Sequence, residues 1–160
     1  MSISQRLRDL LDQRGVRYTV VTHSPAYTAQ EIAQSMHTPG REVAKVVMVK
    51  HAGKLGLAVL PAQARVDLER LGAALHGEVE LASEREFAAA FPDCELGAMP
   101  PFGGLYGLRT WVDESLTRDQ EIAFNAGTHT DAFRMSFEDY RRLAAPIVLW
   151  FAGEPAGAEG

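Results

Sequence analysis

Two apolar runs on either side of a four-residue loop, AKVVMVK and LGLAVLP around HAGK, leave this chain its fewest choices. Each run suits a strand, and so short a loop returns the chain beside itself. Segments 44–50 and 55–60 are therefore expected to pair antiparallel. Side chains alternate along a strand, which puts Lys45, Val47 and Val49 on one face and Ala44, Val46, Met48 and Lys50 on the other. Lys50 reaches water as its strand ends. Lys45 shares a face with two valines. It either snorkels to the sheet edge or pairs with Glu42, or it is held in a partly apolar site where it meets a phosphate, a carboxylate or developing negative charge.

The remaining elements follow from periodicity and punctuation. Ile3, Leu7, Leu10 and Leu11 recur at helical spacing, with Ser2 and Gln5 as the cap and Gly15 as the stop. YTVVT is a strand, and Thr28 and Glu31 form a capping box that opens a second helix. Val66, Leu68, Leu71 and Leu75 mark a helix from about Ala64. Glu78–Leu81 is a short strand, and Ser83 with Glu86 caps the next helix. LRTWVD, EIAFNAG and IVLWFA are further strands, and Ser136 with Asp139 opens the C-terminal helix. Helices and strands mix without a regular βαβ rhythm, so the fold class is α+β. A chain of 160 residues, 46% of them hydrophobic, suits one domain over 1–152, followed by a small, polar, disordered tail at 153–160.

Composition excludes several classes. No apolar run is long enough to span a membrane, and the charged N-terminus lacks the features of a signal peptide. The single cysteine, Cys94, fits a reducing cytoplasm, and its acidic neighbours Asp93 and Glu95 disfavour a thiolate. A net charge of −5 argues against broad nucleic-acid binding. The charge is uneven, however: Arg41, Lys45, Lys50 and Lys54 form a local basic strip, able to meet one anionic partner or simply to be solvated. The five histidines have no metal-ligand spacing, and neither a G-x-S-x-G nor a P-loop is present.

Two more places break local rules. In GAMPPFGGLYG the adjacent prolines stiffen the backbone while the glycines let a ligand approach it closely. Gly97, Ala98, Met99, Pro100, Pro101, Phe102 and Gly103 are candidates on that loop. In FNAGTHTDAF a strand ends in a polar cluster, of which Asn125, Gly127, Thr128 and His129 suit hydrogen bonding to a small ligand. Each place also reads as ordinary loop chemistry.

These pieces in this order resemble the YbaK family, the prolyl-tRNA-synthetase-associated editing domain that also occurs as free-standing aminoacyl-tRNA deacylases. The resemblance runs from about Val16 to Phe151 through AKVVMVK, LPAQARVDLERL, the G-x-x-x-P of Gly97 to Pro101, and FNAGTHTDAFRMSFEDY. It implies a compact α+β fold around a mixed, barrel-like sheet. It also implies hydrolysis of the ester joining a wrong amino acid, such as alanine or cysteine on tRNA-Pro, to the 3′-terminal adenosine. No cofactor or metal is implied. The partners would be the acceptor end of an aminoacyl-tRNA and prolyl-tRNA synthetase. Lys45, Gly97 and Pro101 match the family's catalytic positions, and Ala98, Met99, Pro100, Phe102, Gly103, Asn125, Gly127, Thr128 and His129 are the candidates around the substrate. From the charge pattern, Arg41, Lys50 and Lys54 of the basic strip are the candidates for following the tRNA acceptor end. An aminoacyl ester is already activated, so water positioning and oxyanion stabilisation suffice without a side-chain nucleophile. A non-catalytic module holding a tRNA end, or a Schiff-base role for Lys45, are the alternatives.

Overall fold

The hairpin forms where the two apolar runs place it. In a computed structural model, which describes residues 2–155, strand β2 (Ala44–His51) pairs antiparallel with β3 (Lys54–Pro61) from Ala44↔Pro61 to His51↔Lys54. The turn between them has positive φ at both Ala52 and Gly53, the twist that a two-residue hairpin needs. This pair is the centre of a five-stranded sheet of order β5-β2-β3-β6-β9, with β5 at Val79–Leu81, β6 at Arg109–Asp113 and β9 at Ile147–Leu149. The β3–β6 and β6–β9 pairs are parallel and the rest antiparallel, so the sheet is mixed.

Both faces of the central strands are covered, which is why their apolar runs are nearly continuous. Ala44, Met48, Leu57 and Val59 join the main core with Phe102, Phe124 and Tyr140. Val49, Ala58 and Leu60 pack with Trp111, Phe151 and Leu71, the last from helix α3 (Leu68–Leu75). By the alternation of the strand, Lys45 lies on this second face.

A separate three-stranded sheet, β1-β8-β7, comprises β1 (Tyr18–Thr22), β7 (Glu121–Asn125) and β8 (Asp131–Ser136). A parallel bridge between Val43 and Ala123 ties it to β2. Helix α2 (Ala29–Ser35) covers the junction, burying Ile32 and Ala33 against Ala26, Val43, Ala62 and Ala123. A two-stranded pair, β4 (Ala64–Val66) with β10 (Ala152–Pro155), completes the strands, and among the described residues they form no closed barrel. The architecture is α+β. Helix α1 (Gln5–Gln13) packs on the main core through Leu7 and Leu11, α4 (Glu84–Phe87) through Phe87, and α5 (Phe137–Ala144) through Phe137 and Tyr140.

Four local expectations change. Helix α1 is capped by Ser4 rather than Ser2, its hydroxyl accepting the Leu7 N–H. Ala64–Val66 is a strand, and α3 starts after Asp67, whose carboxylate accepts the Arg70 N–H. Aspartate is among the strongest N-caps, so it fixes the first helical residue at Leu68, four positions later than the apolar spacing suggests. Strand β8 carries no strong sequence signal, because its Asp131 and Arg134 interrupt the apolar pattern. The C-terminal strand divides after Leu149, and strand β10 reaches into the segment expected to be disordered; 156–160 lie outside the described residues.

One feature away from the core tests the electrostatics of the fold. Asp119 borders a groove of ≈ 530 Å³ with Arg41, Glu42 and Arg118, and its Oδ2 is buried with no partner among the described residues. Burial first, and then the nearby charge of Glu42, push its carboxyl up to about 6, against the opposing pull of Arg41. The folded state thus keeps a proton that the unfolded chain gives up near 3.8. Stability falls as pH rises between those two values and stays reduced above them. Asp119→Asn is expected to raise the melting temperature by a few degrees at about pH 7.5 and by much less near pH 4. Equal shifts at both pH values would show that Asp119 is not the titrating group.

Candidate active site

The strand ends assemble the site. Thr22 at the end of β1 pairs with Asp131, and Asn125 at the end of β7 pairs with Ala132, so three chain segments leave the small sheet at one edge. Segment 23–28 docks on the 126–130 turn through His23 N–H to Thr130 O (2.9 Å) and Ala26 N–H to His129 O (3.0 Å). The glycine–proline loop docks from the other side. Gly127 N–H donates to Ala98 O (3.0 Å), Glu95 N–H donates to Gly127 O (2.7 Å), and His129 N–H donates to the Glu95 carboxylate (2.7 Å).

His129 stands between these segments. Its Nε2 lies 2.9 Å from Leu96 O. A carbonyl only accepts, so Nε2 carries the proton and Nδ1 is the acceptor of the neutral ring. That Nδ1 is buried and has no partner among the described residues, and the same holds for Asn125 Oδ1 and His23 Nε2. Buried polar atoms without partners are uncommon, and three of them belong to the segments meeting at this one strand edge. Tyr27 lies over the His129 ring at 4.6 Å between centroids and is 69% exposed.

Two glycines shape the backbone here. Gly97 is exposed with φ +87°, and a Cβ on it would meet His129 Cε1 at 3.6 Å. Gly127 has φ +103°, and a Cβ there would come within 2.9 Å of Ser4 N, so no other residue fits without displacing the chain.

Lys45 reaches the same neighbourhood from the large sheet. Its Nζ donates to Ala62 O at 3.3 Å, and Ala62 packs with Ala26 and Ala123 in the small cluster beneath α2. Asn125 follows Ala123 by two residues and so lies on that face of β7. Ala26 in turn is hydrogen-bonded to His129. Ala26, Ala62 and Ala123, each about 1% exposed, belong to one buried cluster, and through it the segments that carry the Lys45 acceptor, Asn125 and His129 are packed together. Lys45 is half-buried, and its pKa is lowered by that burial and then by the positive charge of Arg65. Glu42, its suggested partner, is instead beside Arg41 at 3.5 Å.

The other sequence candidates divide. Ala98, Met99, Pro100, Pro101, Phe102 and Gly103 are all buried, contrary to the expectation that they line a substrate surface. Met99 and Phe102 belong to the main core, Pro101 O accepts the Tyr140 hydroxyl at 2.8 Å, and Gly103 N–H donates to Thr110. They anchor the loop so that Gly97 is presented at its exposed end. Thr128 is also occupied: its hydroxyl donates to Asp131 at 2.6 Å and accepts the Thr130 and Asp131 N–H groups, which closes the turn. The basic strip is not one surface. Lys50 is held by Glu80 (3.2 Å) and Glu86, Lys54 is exposed at the hairpin tip, and Arg41 lies beyond the opposite end of β2. Tyr27, Glu95 and His23 escape a sequence reading because no periodicity or motif marks them. Only the capping box that starts α2 at Thr28 hints that Tyr27 is held in a fixed place.

Comparison with known proteins places the chain in a family. The pattern of the aminoacyl-tRNA editing domain matches residues 23–143. The multifunctional Ser/Thr-tRNA deacylase ProXp-y of Escherichia coli (strain K12) is 33% identical over 153 residues, covering 92% of this chain and 91% of that protein. Among solved structures, hypothetical protein APE2540 superposes with a TM-score of 0.83 at 18% identity, over 93% of this chain and 100% of that one. A candidate trans-editing enzyme for prolyl tRNA synthetase gives 0.79 at 22% identity, over 94% and 96%. The match spans most of the chain and includes Lys45, Gly97 and His129, so the chain belongs to the aminoacyl-tRNA editing domain family.

Proposed function

We propose that this aminoacyl-tRNA deacylase removes a small, wrongly attached amino acid from the 3′ end of a tRNA, and that Lys45, Gly97 and His129 carry the reaction. This reading is supported by a half-buried ammonium, an exposed left-handed glycine and a histidine whose Nδ1 has no partner among the described residues, on segments joined through one buried alanine cluster. Water attacks the ester carbonyl carbon and gives a proton to His129 Nδ1. The oxyanion that forms is neutralised by Lys45, whose partial desolvation strengthens the attraction. Collapse breaks the bond to the ribose oxygen, which takes the proton back from His129, and the amino acid leaves as its carboxylate once its remaining acid proton passes to solvent. Gly97 lets the ribose and carbonyl approach the backbone. Tyr27, exposed and supported by His129, offers a face on which the terminal adenine stacks.

Serine and threonine are the first substrates to test, because the relative that is a third identical acts on them; alanine and cysteine on tRNA-Pro are the next. A site of small volume would sieve by size and reject residues too large to enter. A deacylation panel of seryl-, threonyl-, alanyl-, cysteinyl- and prolyl-tRNA tests this directly, with the small residues expected to be released and proline spared. Binding of tRNA without release of any amino acid would identify a non-catalytic module instead. Prolyl-tRNA synthetase as a partner is tested by adding it to the same assay.

Lys50 contributes little to tRNA recognition on this reading, since two carboxylates already compensate its charge. The hydrogen bonds that Lys50 donates to the Glu86 and Glu80 carboxylates raise its pKa. Replacing Lys50 and Lys54 together by alanine is expected to leave the half-saturating tRNA concentration within about twofold, as for solvated surface charge. A large loss confined to tRNA, with a minimal aminoacyl-adenosine still cleaved normally, would restore them as phosphate contacts.

A further inference from the structure

The family pattern begins at residue 23, which leaves helix α1 outside it, yet the residue that caps α1 reaches the active-site loop. Ser4 is fully buried. Its N–H donates to Ala126 O (2.8 Å), and its hydroxyl donates to Asp93 Oδ2 (2.6 Å). The other Asp93 oxygen accepts the Tyr106 hydroxyl (2.8 Å) and the Cys94 thiol (3.4 Å). Burial alone would raise the Asp93 carboxyl, but the hydrogen bonds from Ser4, Tyr106 and Cys94 outweigh it and hold the group below its ordinary value. Cys94 itself, pushed up to about 12 chiefly by burial, is a neutral thiol that supports the network rather than a nucleophile.

This network grips both strands of the loop that presents Gly97. Asp93 begins the arc 93–98, so its bond to Ser4 fixes one end. Gly127, whose Cα packs against the Ser4 backbone, fixes the other by bonding Ala98 and Glu95 on either side of Gly97.

We propose that Ser4 and Asp93 are positioning residues for the deacylation reaction, making the start of α1 a clasp that sets the Gly97 backbone against His129. The proposal rests on the deacylase reading given above. It assigns the N-terminal helix a role in rate rather than in binding, because none of the clasp's hydrogen bonds goes to Lys45 or Tyr27.

Three full-length variants test it. Ser4→Ala breaks the clasp but also uncaps α1. Asp93→Asn weakens the clasp and keeps the Ser4 cap on Leu7. Asp9→Gly, on the exposed side of α1, weakens the helix without touching the clasp. Single-turnover cleavage of the mischarged tRNA that the wild type hydrolyses best is measured for each, with its half-saturating concentration and the amide exchange of residues 95–98 and 127. The clasp predicts a rate loss of about tenfold for Ser4→Ala and Asp93→Asn, within the range that small misplacements cause. Half-saturation stays within about twofold, and exchange accelerates at 95–98 and 127. Asp9→Gly lowers the melting temperature and leaves the rate unchanged. An unchanged rate in both clasp variants, or an equal loss in Asp9→Gly, overturns the proposal. Wild type that cleaves no mischarged tRNA sinks the deacylase reading instead; the clasp is then judged by exchange alone, and unaltered exchange overturns it.

Discussion

Lys45→Met is expected to lower the single-turnover deacylation rate by about 10²–10³-fold, the usual effect of removing one preorganised charge partner of an oxyanion. Methionine keeps most of the aliphatic stem, so the packing beside Leu60 and Val47 survives while the charge is lost. The fold should not suffer, because a half-buried ammonium near Arg65 is not a stabilising charge. The lowered pKa gives the sign. The unfolded chain binds the Lys45 proton more tightly than the folded protein does, so stability rises as pH increases from the folded pKa toward 10.5. The cation is also what the chemistry needs. The ratio of wild-type to Lys45→Met rates should therefore shrink as pH rises through that lowered pKa. A wild-type rate in the variant would remove Lys45 from the mechanism. Loss of folding would make it a structural residue. Trapping of a borohydride-stable adduct on the wild type would favour imine chemistry over ester hydrolysis.

How far the sequence led can be seen at Lys45 itself. Strand alternation alone shows that it shares a face with Val47 and Val49, and the anomaly survives in three dimensions as a half-buried ammonium. The Thr28, Ser83 and Ser136 caps and the β2–β3 register were legible for the same reason: each depends on residues a few positions apart. What sequence could not show was which members of a motif face outward. GAMPPFGG looks like a ligand loop along its whole length, yet Met99 and Phe102 are drawn into the core and only its two end glycines, Gly97 and Gly104, remain exposed. Burial of apolar side chains decides this, and the partners that bury them, Phe124 and Tyr140, lie more than twenty positions away. The ion pairs of Lys50 are hidden for a similar reason. Its compensating carboxylates, Glu80 and Glu86, lie on later elements, thirty or more positions along the chain. The Ser4–Asp93 clasp joins positions 89 apart and leaves no trace in local pattern.

The second large effect is expected at Gly97. Two constraints apply there, and they separate. The first is conformational: φ of +87° is a region that a β-branched residue avoids, so Gly97→Val must either strain the loop by about 1–3 kcal/mol or flip it. The second is steric. A Cβ would sit 3.6 Å from His129 Cε1, an ordinary contact, but the valine methyl groups extend beyond it into the space that the ribose and carbonyl must enter. A catalytic loss of about 10²-fold or more follows if the backbone must meet the substrate closely, since an ångström of misplacement has effects of that size. Gly97→Ala isolates the first constraint, because its single methyl meets His129 without a clash. It should therefore keep more activity than Gly97→Val at a similar loss of stability. If both variants lose activity equally, strain in the loop explains the effect and the close approach does not. If Gly97→Val retains wild-type turnover, the substrate does not approach this backbone, and the glycine serves only to turn the chain between Glu95 and the buried prolines.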